Sequence, residues 1–121
     1  MTERSDDDRL EVLVGEAMLE SVSGVGASLV VTPTRVVVVR DGVQRRPRTG
    51  LREWRHGTVD VRLEPPKGGN GRIVVRTGAN PNAAVSVFVS VASWPTAVRA
   101  AARIRTESRL ARQMKGRPKT V

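Results

Sequence analysis

The sequence predicts a mainly β, α+β fold: bent antiparallel sheets, or a partly open barrel, capped by one C-terminal helix. Three observations predict it. Short valine-rich runs recur at hairpin spacing between Ser28 and Val91, separated by glycine, proline and asparagine. One run, Val59-Asp-Val-Arg-Leu-Glu64, alternates apolar and charged residues strictly, the period of a half-buried strand. From Ser93 onward β-branched residues thin out, and apolar side chains recur at three- and four-residue steps. At 121 residues the chain has the size of one ordinary domain. Residues 1–10 read as an acidic flexible lead-in, 11–114 as the single domain and 115–121 as a basic flexible tail.

In chain order, Glu11 to Glu20 fits either a short helix or a strand with Ala17, Leu19 and Ser21 on one face. Ser23-Gly-Val-Gly-Ala27 is a turn. Ser28-Leu-Val-Val-Thr32 is a β-rich run stopped by Pro33, which lacks a ladder donor, so Thr-Pro-Thr turns the chain. Arg35-Val-Val-Val-Val-Arg40 is the next strand, and Asp41-Gly42 is a strong hairpin dipeptide. Residues 43–53 continue as an arginine-rich strand interrupted at Pro47 and Gly50. After the alternating run, the segment from Pro65 to Gly71 is a loop. Arg72 to Thr77 is a strand, Gly78 to Asn82 a loop, and Ala84 to Val91 a strand that points Val85, Val87 and Val89 to one side. Ser93 is placed to cap a helix with Pro95 in its first turn. Trp94, Ala97, Ala101, Ile104, Ser108 and Ala111 form the apolar face of that helix, and Gly116 and Pro118 end it.

Leu29-Val-Val-Thr-Pro-Thr-Arg-Val-Val-Val-Val-Arg-Asp-Gly42 resembles the core of bacterial pleckstrin-homology-like and GRAM-like domains, in which a T-[DP]-x-R turn joins two strands. Gly71-Arg-Ile-Val-Val-Arg-Thr-Gly78 is similar to a later strand of that family, and Trp94 with its alanine-rich helix to the capping helix. The likeness covers roughly residues 15–112. It implies two nearly orthogonal antiparallel sheets with the helix at one corner, and a binding function: phosphoinositides in some members, protein in many. Phosphoinositide binders carry lysine and arginine around the loop between their first two strands. Here that loop, Ser23 to Ser28, has no charge, so an anion site would have to use other residues.

The net charge is +9, unevenly spread. Residues 1–20 carry seven acids against two arginines, a net of −5, and the remainder carries +14. Such a surface is drawn toward polyanions. The arginine burst Arg45, Arg46, Arg48, Arg52 and Arg55 reads as an anion-binding strip or as a solvated edge strand kept from aggregating by charge. Arg99, Arg103 and Arg109 form a candidate basic helix face, while Leu110 and Met114 outside the core arc suggest a protein contact. Trp54, between Arg52 and Arg55, is a candidate stacking platform but reads more naturally as core. His56 is the lone histidine, with no carboxylate pair or hydroxyl spaced to make it catalytic or a metal ligand. Lys67-Gly-Gly-Asn-Gly71 lacks the G-K-[ST] ending and following helix of a phosphate loop. There is no cysteine, hence no disulfide and no thiol nucleophile. No secretory signal or membrane span is visible. The expectation is a cytoplasmic, non-enzymatic binding or scaffold module without cofactor or metal. Its partner would be an unidentified protein or a second copy, with weak attraction to nucleic acid or to an anionic lipid surface. Nucleic-acid binding through the arginine-rich strand and helix, or peripheral lipid binding, are the alternatives.

Overall fold

The computed structural model describes residues 11, 14–42, 50–77 and 80–116. Among the described residues there are seven strands and one long helix, a fold that is α+β and mainly β. Strands β1 (Glu20–Ser23), β2 (Ala27–Val31), β3 (Arg35–Arg40) and β4 (Leu51–Arg55) pair antiparallel in that order. Strands β5 (Val59–Glu64), β6 (Gly71–Thr77) and β7 (Asn80–Val89) form a second, three-stranded antiparallel sheet. The helix α1 runs from Trp94 to Gly116 and lies against β1 and β5. Among the described residues no helix is long and apolar enough to cross a membrane.

Valine-rich strands settle here because their side chains fill both the space between the sheets and the space behind the first one. The inner core joins Val22, Leu29, Val31, Val36, Val38 and Trp54 to Val59, Val61, Ile73, Val75, Val85, Val87 and Val89, with Ala97, Ala100, Ala101 and Ile104 of α1 closing it. On the other face of the first sheet, Val30, Val37 and Val39 pack with Val14, Met18 and Leu51. The four consecutive valines are therefore all buried, each at most 4% exposed, because both faces of β3 are covered.

The turns follow local chemistry. Thr32, fully buried, accepts from the backbone N–H groups of Thr34 and Arg35 through Oγ1 and donates to the Arg35 carbonyl (3.1 Å), fixing the β2–β3 turn. Gly42 adopts a positive φ of 78°, but Asp41 does not, and Arg40 is tied to Gly50 rather than to residue 43, so the two-residue hairpin expected at Asp41-Gly42 is not formed. Gly71 is needed for a steric reason. A Cβ there would sit 2.5 Å from the Trp94 ring, so the ring packs directly on backbone.

Three further segments differ from the sequence expectation. Glu11 and Val14 belong to a helical turn, and the chain then bends, so strand pairing begins only at Glu20. Of residues 43–53, the stretch 43–49 lies outside the described residues, and β4 begins at Leu51. β7 starts at Asn80 rather than Ala84, through Pro81, with a register irregularity opposite Val75 to Thr77. Proline is admissible there because β7 is an edge strand.

Candidate functional site

Two surfaces gather charged side chains. The first is one flank of α1. Arg105, Arg109, Arg112 and Gln113 line an open depression of about 620 Å³. The three arginines follow i, i+4, i+7 spacing, which places them on one side of a helix. Arg105 donates to the Val61 carbonyl of β5 (3.4 Å), and Arg112 to the Ser108 carbonyl one turn back (3.3 Å). These contacts orient two guanidinium groups. Among the described residues, none of the three arginines has a carboxylate within ion-pair distance.

The sequence pattern pointed to Arg99, Arg103 and Arg109 as the helix face. The structure separates them. Arg103 pairs with Glu107 (3.2 Å) and Arg99 donates to Thr96 (3.5 Å), while Arg109 joins Arg105 and Arg112 on another flank. The 3–4 spacing that located the apolar face would also have found this triad. Leu110 and Met114, in the same C-terminal turns, are exposed as expected.

The second surface spans β4 and the adjoining start of β3. A depression of about 640 Å³ is lined by Thr34, Arg35, Glu53, Trp54 and Arg55. Trp54 is buried in the inner core, and the guanidinium of Arg52 lies over its ring, 5.9 Å from the centroid. Arg55 is exposed and lies across the ladder from Arg35. Of the expected arginine strip, Arg52 and Arg55 thus both stand on β4, Arg55 lining the depression, and Arg45, Arg46 and Arg48 lie outside the described residues.

Arg35, the arginine that ends the Thr32-Pro-Thr-Arg turn, serves structure. It pairs with Glu16 (3.4 Å) and Glu53, and donates to the Val14 carbonyl, tying the segment before β1 to β3 and β4. Burial raises the Glu16 pKa, but hydrogen bonds with Thr32, Thr34 and Arg35 and the Arg35 charge outweigh it, leaving the carboxyl below its ordinary range. At Glu64 the Arg72 hydrogen bond lowers the pKa, against a small burial effect. His56 is half-buried and donates from Nε2 to the Thr32 carbonyl (2.7 Å). Among the described residues its buried Nδ1 has no partner, nor does Ser108 Oγ. Among the described residues no three histidine, aspartate or glutamate side chains come together as a metal site.

No family model matches the chain, and neither a curated protein nor a solved structure matches it.

Proposed function

We propose that this protein is a non-enzymatic binding module of the pleckstrin-homology-like type. It acts in the cytoplasm chiefly through contact with a protein or a second copy of itself, with weak attraction to anionic surfaces. The arrangement of four strands, three strands and a terminal helix supports the structural part of this reading.

One observation carries the functional part. The C-terminal turns of α1 present exposed Leu110 and Met114 on the side away from the core and, on a separate flank, three arginines that, among the described residues, have no carboxylate partner. Methionine and arginine are enriched in protein interfaces, whereas a membrane-inserting helix needs a wider apolar face. The arginine flank also supports nucleic-acid contact as a second reading, since guanidinium groups at this spacing can follow a phosphate backbone.

Sedimentation across a concentration range, with Leu110→Ser/Met114→Ser as the comparison, tests self-association. Salt titration on random duplex DNA and on acidic vesicles tests the anionic part. We expect weak binding without headgroup or sequence preference. Replacing Arg105, Arg109 and Arg112 with glutamine should flatten the logarithmic salt slope on DNA by about one unit for each phosphate no longer neutralised. Micromolar selectivity for a single headgroup would overturn this reading in favour of a lipid site.

A further inference from the structure

Strand edges are where a sheet can accept another chain, and the four edges of this fold are unequal. β1 and β5 lie under α1, and the end of β7 is bridged to the β1–β2 turn by the Val25 N–H donating to the Phe88 carbonyl (2.8 Å). Among the described residues no strand or helix packs along the outer side of β4.

The hydrogen-bond phase of β4 is fixed by its two ends. Arg40 N–H donates to the Gly50 carbonyl (2.7 Å), and His56 N–H to the Thr34 carbonyl (3.1 Å). Antiparallel ladders alternate bonded and non-bonded pairs. With Val36 opposite Trp54 and Val38 opposite Arg52, those two pairs are the bonded ones. The backbone groups of Leu51, Glu53 and Arg55 therefore point away from β3. The Arg55 carbonyl is taken by the Thr58 N–H (3.2 Å) and hydroxyl (2.8 Å). Among the described residues, the N–H and C=O of Leu51 and Glu53 and the N–H of Arg55 remain open, in a row.

The charge beside that row is positive. Glu53 is engaged by Arg35, whereas Arg52 on one face and Arg55 on the other have no carboxylate partner among the described residues. Arginines on an edge oppose pairing with a second copy of the same basic chain, and the same arginines favour an acidic strand. We infer that the β4 edge is a strand-addition site for an acidic, extended segment of a partner protein, bound by main-chain hydrogen bonds to Leu51, Glu53 and Arg55 and selected by Arg52 and Arg55. This deepens the protein-contact reading above and rests on it.

The test uses the full chain and a capped peptide that alternates glutamate and valine and is long enough to span β4. Amide hydrogen exchange should slow at Glu53 and Arg55 when the peptide is added, and stay unchanged at Arg52 and Trp54, whose N–H groups already bond to β3. Replacing each valine of the peptide with proline keeps its charge but prevents ladder formation, and should abolish the protection. Arg52→Glu/Arg55→Glu, with its native amide spectrum verified, should weaken binding at least about tenfold, as should the milder Arg52→Gln/Arg55→Gln. The inference is overturned if the proline peptide protects equally, if an oligonucleotide gives the same protection, or if protection at β4 grows with protein concentration alone, which would make a second copy the occupant. Peptide binding that instead perturbs Arg105, Arg109 and Arg112 overturns this site while leaving the binding-module reading in place. No binding to the peptide at either surface overturns this inference, and the broader reading then falls only if the sedimentation experiment is also negative.

Discussion

Glu16 shows how one side chain couples an irregular segment to a sheet. It accepts from the Thr34 hydroxyl (2.8 Å) and pairs with Arg35, which also holds the Val14 carbonyl. Its pKa is lowered from the ordinary 4.5, so the ionised form is the one the fold stabilises. That contribution is complete above 4.5 and disappears as the pH falls through the lower folded value. Glu16→Gln should therefore lower stability by about 1–2 kcal/mol at neutral pH, and the deficit should shrink toward zero in denaturant titrations below the folded pKa. A deficit independent of pH would mean that the carboxylate charge contributes nothing. Gly71 makes a steric case instead. Because its missing Cβ makes room for the Trp94 ring, Gly71→Ala must push either ring or strand aside. Trp94 itself is only partly buried, so Trp94→Ala should cost about 3 kcal/mol, the lower end for a large aromatic; a loss under about 1 kcal/mol would mean that the helix does not close the core. For His56, one hydrogen bond to the Thr32 carbonyl implies that His56→Ala costs about 1 kcal/mol in stability and changes no binding constant. A binding constant that differs between His56→Ala and the unaltered protein would contradict that.

Among the elements, those with a clean period were the legible ones. Val59, Val61 and Leu63 face inward as their alternation requires, and the helix buries Ala97, Ala101, Ile104 and Ser108 as its spacing requires. The run Val36 to Val39 has no period, because a strand covered on both faces needs none. Its second cover is the segment from Val14 to Met18, which carries no regular pattern because it is held by tertiary ties to Arg35 rather than by its own ladder. β7 reaches back through Pro81 because edge position forgives the missing donor, and edge position is a property of topology that local sequence does not carry. The site was legible to a similar degree. Arginine abundance was plain, but which arginines share a flank depends on helical angle. Whether Arg52 and Arg55 adjoin an open edge depends on what the rest of the chain covers. Deleting residues 1–19 should uncover Val30, Val37 and Val39, lower the unfolding midpoint, and increase binding of a hydrophobic dye. An unchanged midpoint would show that the second core is dispensable.

At the scale of the whole molecule, the two sheets and the helix share one inner core, so they should unfold together. The sequence permits a direct test. Its two tryptophans are the only strong fluorophores, since tyrosine is absent. Trp54 sits in β4 of the four-stranded sheet, and Trp94 sits where α1 meets the turn before β6. Trp54→Phe leaves a reporter at the helix start, and Trp94→Phe leaves one in the first sheet. In each variant the fluorescence midpoint in denaturant should coincide with the far-ultraviolet circular dichroism midpoint, although the two variants will differ in absolute stability. Ile104, Ala100 and Ala101 are fully enclosed by strand residues of both sheets, so detaching the helix would leave both sheets with a bare apolar face. That exposure makes a helix-off state costly and sparsely populated. A Trp94 signal that moves well before the circular dichroism signal would show that α1 releases as its own unit. The arginine flank and the exposed Leu110 and Met114 would then belong to a separable helix, and partner binding would compete with the core for it.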